Sequence, residues 1–165
     1  MLSMTYEEQL KKLVRSALQE DIQDGDQSTL ACIDAAAEGK AVLKIKEPGI
    51  LAGMALAQYV FSLQQPDAVF HPYKKDGDAM QAGEIAFEVE AKAAIILQCE
   101  RLVLNCMQRM SGIATLTHSY AERLKGYHTR LLDTRKTTPN FRLLEKEAVC
   151  IGGGVNHRFG DRKST

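Results

Sequence analysis

A short basic loop, Asp133-Thr-Arg-Lys136, follows a stretch of the chain that is predicted to form a strand. In folds that alternate strands and helices, functional groups concentrate in the loops after the strands. Arg135 can hold a carboxylate or phosphate with two hydrogen bonds, and Lys136 adds a point charge, so the loop could bind an anion. The alternative is a solvated loop that pairs with Glu145 or Asp133. Spacing alone leaves both open.

A second basic segment, Asn156-His-Arg158, follows the glycine run Gly152-Gly-Gly154. Glycine lets a backbone approach a ligand closely, and His157 could act as an acid, a base or a hydrogen-bond donor. A lone histidine beside Arg158 is also compatible with a structural or simply exposed role. The glycine run follows a predicted helix and lacks the phosphate-binding patterns, so it is weak evidence for a phosphate loop.

Arg101 lies among apolar residues of a predicted helix, where a surface pair with a neighbouring polar side chain would explain it. The four cysteines are widely spaced and form no CxxC pair, and no spacing of ligand residues resembles a zinc site. Reduced thiols in the cytoplasm are the simplest interpretation.

The composition excludes several classes of protein. The chain has 165 residues, of which 45% are apolar and 25% charged, as is typical of globular proteins. Lysine plus arginine equals aspartate plus glutamate at 21 each, which argues against a nucleic-acid partner and against a basic membrane-surface helix. No apolar stretch approaches the length of a membrane span, and the N-terminus does not resemble a secretory signal.

The first half of the chain predicts an α+β arrangement. A helix is expected over 5–20, with Thr5 and Glu8 as a capping box, followed by a polar loop over 21–29. Strands are predicted at 41–46, 68–71 and 85–90 around a short helix at 53–61. In the first strand Ala41, Leu43 and Ile45 alternate with lysines, so one face of the sheet should meet water.

A long helix is predicted over 92–125, with Ser111-Gly112 as a kink or a close-packing point and Gly126 at its end. After it come a strand at 128–132, the basic loop and a helix that stops at the glycine run. This order is the opening of a βα series, and a parallel barrel cannot close on one such unit.

The sequence motifs of the basic loop, the glycine run and the long helix together resemble those of the quinolinate phosphoribosyltransferase family, also called nicotinate-nucleotide pyrophosphorylase (carboxylating). The resemblance covers about residues 10–160. Its motifs, in family order, are Glu100-Arg-Leu-Val-Leu-Asn105, Ser111-Gly-Ile-Ala-Thr115, Asp133-Thr-Arg-Lys-Thr-Thr-Pro139, Arg142, Glu145-Lys146, Ala148-Val149 and Gly152-Gly-Gly-Val-Asn-His-Arg158.

The resemblance implies a fold and a reaction. The fold is an N-terminal open-faced α+β sandwich with a long connecting helix, followed by a phosphoribosyltransferase α/β barrel of the TIM-like kind. The reaction joins quinolinate to phosphoribosyl pyrophosphate with Mg²⁺ and gives nicotinate mononucleotide, carbon dioxide and pyrophosphate. The resemblance also implies a homodimer or higher homo-oligomer, whose quinolinate pocket would be lined by Thr134, Arg135, Lys136, His157, Arg158 and, from the partner subunit, Arg101.

The match ends after Gly160, where family members continue through further barrel strands that would carry the Mg²⁺ ligands. We therefore expect a sandwich with its long helix over 1–126 and the first βα unit of an incomplete barrel over 127–165. On this view the chain is a fragment that is inactive alone. The alternatives are a non-catalytic dimerisation module, a dicarboxylate-binding remnant, or the molybdate-transport-associated relative of this family.

Overall fold

The computed structural model describes residues 4–23 and 25–157, and within them the chain forms five helices and five strands. In chain order the elements are α1 (Tyr6–Ile22), α2 (Gln27–Cys32), β1 (Glu38–Lys44), β2 (Gly49–Ile50), α3 (Met54–Gln64), β3 (Val69–Pro72), β4 (Ala79–Met80), β5 (Ile85–Lys92), α4 (Ala93–Arg123) and α5 (Arg142–Ile151).

Helix α1 begins where the capping box predicts. The Glu8 backbone N–H donates to Thr5 Oγ1 at 3.2 Å, and the Thr5 N–H donates to Glu8 Oε2 at 2.8 Å. The loop predicted over 21–29 is wrong in part, because α1 continues to Ile22 and α2 begins at Gln27. Asp26 caps α2 by accepting a hydrogen bond from the Thr29 N–H, so a polar sequence starts a short helix here.

The main sheet is antiparallel, in the order β1-β5-β3, and has one apolar and one charged face. Val89 lies opposite Ala41 and Phe70 on the inner face, where Phe61 of α3 packs against the sheet. Burial alternates along β1, which confirms the predicted one-sided strand. The sheet of β2 and β4 was not predicted, because each strand has two residues and shows no periodicity.

Helix α4 is unbroken over 31 residues and packs against the other helices and the sheet. Ser111 is buried in it and accepts a hydrogen bond from the Ala52 N–H at 3.0 Å, while its hydroxyl donates to the Ala52 carbonyl at 3.2 Å. The close-packing interpretation of Ser111 is therefore confirmed. No helix within residues 4–23 and 25–157 combines the length and apolar character that crossing a bilayer requires.

The strand predicted over 128–132 is reduced to one parallel bridge between Leu132 and Val155. The Val155 N–H donates to the Leu131 carbonyl at 2.9 Å, and the Asp133 N–H donates to the Val155 carbonyl at 3.1 Å. A longer strand needs a longer neighbour, and the described segment beside it provides a single paired residue. The parallel sense and the following helix α5 match the predicted start of an α/β barrel after the α+β sandwich. The division at 126/127 remains a prediction.

Candidate anion-binding site

Asp133 is the centre of the site, and its carboxylate is almost fully buried. Lys146 Nζ of α5 donates to Asp133 Oδ2 at 2.5 Å, and the two side chains are 1% and 5% exposed, respectively. Ions removed from water are costly unless they are paired. The basic loop is therefore anchored to α5 by a buried ion pair, directly after the parallel bridge between Leu132 and Val155.

The same carboxylate also holds the segment after the glycine run. Asp133 Oδ1 accepts a hydrogen bond from the His157 backbone N–H at 2.8 Å. The Asn156 side chain, with its amide nitrogen turned toward Asp133, donates to Asp133 Oδ2 at 2.6 Å and to the Lys146 carbonyl at 3.0 Å. The loop, α5 and the 156–157 segment thus meet at one carboxylate.

Contacts to backbone and hydroxyl atoms shape the basic loop itself. Thr134 Oγ1 accepts a hydrogen bond from the Lys136 N–H at 3.1 Å. Arg142, the first residue of α5, donates to the Arg135 carbonyl at 3.3 Å and to Thr137 Oγ1 at 3.1 Å. The Lys136 side chain is exposed, and Arg135 is half-buried. The loop therefore has a defined backbone path and presents a cation to solvent.

The glycine run serves close packing rather than phosphate binding. A Cβ at Gly152 would lie 2.4 Å from the Ala114 carbonyl oxygen of α4, and one at Gly154 would lie 2.6 Å from Val149 Cγ1. Gly153 has φ of +91°, a conformation that side chains disfavour. These glycines let the chain turn tightly after α5, where it packs against both α4 and α5. The turn brings Val155 beside Leu132.

A second ion pair supports the loop from the side of α4. Glu145 Oε1 accepts from Arg109 Nε at 2.8 Å, and Glu145 Oε2 accepts from the Thr138 N–H at 3.1 Å. Burial alone would raise the pKa of Glu145, but the hydrogen bonds from Thr138 and Arg109 outweigh it and hold that pKa below its usual value. Each of these two carboxylates thus has a basic partner, which is Lys146 for Asp133 and Arg109 for Glu145.

The structure brings Thr134, Arg135, Lys136 and His157 to the neighbourhood of Asp133. It does not bring Arg101 there in the same chain, because the Arg101 guanidinium lies on α4 and pairs with Asp21 of α1 at 2.6 Å. Arg158 lies outside the described residues.

Sequence reasoning missed the supporting roles of Asp133, Lys146 and Asn156. No local signal marks these roles, because a lysine on a helix is usually solvated and only the fold shows that Lys146 is buried. A buried lysine needs a carboxylate, and Asp133 stands at the end of the strand that precedes α5.

The described residues do not fit a Mg²⁺ site beside the loop, because Asp133 is committed to Lys146. The described residues offer one trio of candidate metal ligands, His71, Glu88 and Glu90, with ligand atoms within 4.8 Å of one another. These residues lie on the charged outer face of the sheet, where Lys40 Nζ already pairs with Glu88 at 2.6 Å and Glu90 at 3.3 Å. Magnesium prefers oxygen ligands, so a trio that includes a histidine and is already paired with a lysine does not suit it.

A separate groove of about 860 Å³ lies between α1, α4 and the 138–143 segment. It is lined by apolar and neutral polar side chains together with Lys12, Glu20 and Arg142. None of the predicted site residues within the described part of the chain lines it. The chemistry of the site therefore rests on the Asp133 neighbourhood rather than on this groove.

Two family models cover most of the chain. The model described as the N-terminal domain of quinolinate phosphoribosyl transferase matches residues 26–111, and the C-terminal domain model matches residues 113–163. The chain belongs to the quinolinate phosphoribosyltransferase family. Its place in that family agrees with the order of motifs from Glu100 to Asn156.

Individual relatives of the family agree with the two models. The chain is 45% identical over 152 residues to a probable nicotinate-nucleotide pyrophosphorylase [carboxylating] of Bacillus subtilis, covering 92% of this chain and 52% of that protein. It is 45% identical over 157 residues to quinolinate phosphoribosyltransferase [decarboxylating] 1 of Nicotiana glauca, covering 94% and 44%. The chain thus spans about half the length of the curated relatives it matches.

Solved structures of the family show the same fold. NadC from Streptococcus pyogenes superposes with a TM-score of 0.88 at 41% identity, covering 97% of this chain and 56% of that one. The nicotinate-nucleotide pyrophosphorylase of Francisella tularensis gives 0.85 at 35% identity, with 96% and 56% covered. The α+β sandwich, the long helix and the start of the barrel are therefore the family's architecture.

Proposed function

We propose that this chain carries the quinolinate-binding edge of a quinolinate phosphoribosyltransferase of NAD biosynthesis. The observation that carries the proposal is the meeting of the basic loop and the 156–157 segment at the buried Asp133 carboxylate. Quinolinate has two neighbouring carboxylates, and cations of the loop together with hydrogen-bond donors of a second segment suit such a ligand. The names of the relatives support the same substrate.

In the proposed reaction the pyridine nitrogen of quinolinate bonds to C1 of phosphoribosyl pyrophosphate, and the bond from C1 to pyrophosphate breaks. The bond to the 2-carboxylate then breaks, carbon dioxide leaves, and the electron pair left on C2 takes a proton. Arg135, Lys136 and His157 would hold the carboxylates and stabilise charge as it shifts, so that positioning and electrostatics supply the rate. This scheme assigns no covalent nucleophile to the chain.

Further elements of the proposal come from the family resemblance. Mg²⁺ would arrive with phosphoribosyl pyrophosphate as the metal complex of that substrate. Arg101 would reach the pocket of a partner subunit in a homodimer or higher homo-oligomer. The four cysteines form no disulfide in the structure, which supports a reducing compartment, and we propose the cytoplasm.

Titration calorimetry of the 165-residue chain with quinolinate tests the proposal. We expect saturable binding, and we expect Lys136→Met to weaken it about tenfold because a charge-assisted hydrogen bond is lost. Lys125→Met is the matched control, since Lys125 is an exposed lysine that pairs with Glu122 near the end of α4. Absence of quinolinate binding at millimolar concentration, or equal loss in both variants, would contradict the proposal.

An assay for nicotinate mononucleotide, with phosphoribosyl pyrophosphate and Mg²⁺ present, separates binding from turnover. Because the curated relatives are about twice as long, we expect binding without turnover from this chain by itself. Turnover by this chain would show that its residues are sufficient for the whole reaction.

A further inference from the structure

The basic groups of the proposed pocket come from two segments that are far apart in sequence. Arg135 and Lys136 belong to the loop after the bridge, whereas His157 follows the glycine run. Asp133 connects the two segments. It is the first residue of the basic loop, and its carboxylate accepts a hydrogen bond from the His157 backbone N–H at 2.8 Å. The spacing between the two sets of donors thus depends on where this carboxylate sits.

Lys146 fixes that carboxylate. Its ammonium group lies 2.5 Å from Asp133 Oδ2 and is 1% exposed, and the α5 backbone at Lys146 also accepts from Asn156. An exposed pair would let the carboxylate move with solvent, but this pair is enclosed between α5 and the bridge. The position of α5 is itself set by its packing against α4.

Stability alone does not explain a buried pair of this kind. Replacing both ions of such a pair with apolar residues of similar size often leaves a protein equally or more stable. What a buried pair can provide is one defined arrangement of the groups attached to it. Here those groups are the two segments that carry the basic residues.

We propose that the Asp133–Lys146 pair is a specificity device, which holds the two basic segments at the spacing of two neighbouring carboxylates and so selects a dicarboxylate over a monocarboxylate. The proposal rests on the proposed function. A ligand with one carboxylate needs one segment only, whereas a ligand with two needs both segments at a fixed separation. Binding groups displaced by a fraction of an ångström lose the second contact first.

The decisive variant is the double replacement Asp133→Leu/Lys146→Met, which removes both charges together and leaves neither ion buried alone. Calorimetry measures the affinity of the 165-residue chain for quinolinate, the pyridine-2,3-dicarboxylate, and for nicotinate, the pyridine-3-carboxylate. We expect quinolinate affinity to fall at least about tenfold and nicotinate affinity to change less than about threefold, so that the ratio of the two collapses. A mere loss of folded protein would lower both equally.

The control is Lys74→Met, which removes the ion pair between a half-buried lysine and Glu84 at 2.9 Å, and neither residue belongs to the basic loop, to α5 or to the 156–157 segment. It should leave both affinities unchanged. Asp133→Asn/Lys146→Gln serves as a second variant if the first double replacement does not fold, because it also removes both charges together and leaves two neutral side chains that can hydrogen-bond to each other, and it should shift the ratio in the same direction. A ratio that stays at the wild-type value in a folded variant overturns the proposal.

A measurement without ligand keeps this proposal separate from the proposed function. Amide hydrogen exchange at His157 should accelerate at least about tenfold in the double variant, because the acceptor of that N–H is lost. The Ile50 amide, which donates to Thr115 Oγ1 at 2.8 Å, should stay protected. If the wild-type chain binds no quinolinate, the proposed function fails. Unchanged exchange at His157 would then overturn the positioning role independently.

Discussion

The carboxylate of Asp21, in the last turn of α1, holds the guanidinium of Arg101 on α4, whose Nη1 donates to Asp21 Oδ1 at 2.6 Å. The Arg101 side chain is nevertheless 71% exposed. A guanidinium has five N–H donors in a planar fork, so one carboxylate leaves others for a second anion. Asp21 therefore orients the Arg101 guanidinium, which stays accessible to an anion other than Asp21.

Replacing Arg101 should separate binding from stability. Arg101→Met should change the free energy of unfolding by less than about 0.5 kcal/mol, because exposed ion pairs contribute little. If Arg101 enters a partner's pocket, the same change should weaken quinolinate binding about tenfold. Urea unfolding and calorimetry measure the two effects. Arg123→Met, at the end of the same helix, is the control, and equal affinities in the two variants would remove Arg101 from the pocket.

Two glycines of the family motifs should respond oppositely to the same substitution. Gly152→Ala places a Cβ 2.4 Å from the Ala114 carbonyl oxygen, and we expect it to lower the free energy of unfolding by at least about 2 kcal/mol. Gly112 lies within α4 with open space around its Cβ position, so Gly112→Ala should raise that free energy by roughly 0.5–1 kcal/mol through helix propensity. Chemical denaturation measures both, and a shared sign would contradict the packing role of Gly152.

Glu147 should make the protein less stable as the pH rises. Burial raises the pKa of Glu147, and Asp76 adds to the rise, although the Tyr6 hydroxyl donates to Glu147 Oε2 and opposes it. A folded-state pKa above the unfolded value gives stability below the unfolded pKa of about 4.3, which is lost as the pH rises through the folded pKa.

Glu147→Gln should therefore be more stable than the wild type at pH 7, and the difference should shrink toward pH 4. Thermal unfolding across that range measures it. The control is Glu84→Gln. Its hydrogen bond from Lys74 lowers the pKa of Glu84, so this stabilisation is present above the unfolded pKa and is lost as the pH falls. If the Glu147 variant and the wild type have the same thermal stability at every pH, the pKa of this half-buried carboxyl is not raised in the folded protein.

The thiols should divide into two reactive and two protected groups. Cys32 and Cys150 are exposed, whereas Cys99 and Cys106 are buried in α4. Burial raises the pKa of Cys99 to about 12 and that of Cys106 to about 11, which keeps both as unreactive thiols. A thiol reagent followed by mass spectrometry should label Cys32 and Cys150 in the folded protein and all four cysteines after denaturation. Early labelling of Cys99 would contradict the core packing of α4.

The elements that could be predicted are those that carry their own signal. The capping box of Thr5 and Glu8 marks the start of α1, and the lysines of β1 mark the solvent face of the sheet. The β2–β4 pair could not be predicted, because its register depends on contacts with α4 such as the Ile50 N–H to Thr115 Oγ1 bond.

The candidate site divides in the same way. The place of Arg135 and Lys136 in a loop after a strand end could be predicted, and His157 stands out because it follows the glycine run. That these residues bind an anion stays a prediction. The burial of Lys146 could not be predicted from local sequence, since a lysine on a helix is usually solvated. Its role depends on a carboxylate thirteen residues earlier, and only the fold brings the two together.

The two family segments meet inside α4, since one ends at residue 111 and the other begins at residue 113 of a helix that is continuous from Ala93 to Arg123. The buried core is likewise one cluster, which joins Leu10 of α1 to Leu144 of α5 through α4. The boundary between the two family segments therefore does not coincide with any boundary in the buried core. Cutting at the family boundary would halve the helix that both segments share. The described fold should accordingly melt in a single transition, and inherited modules here are not independent units of unfolding.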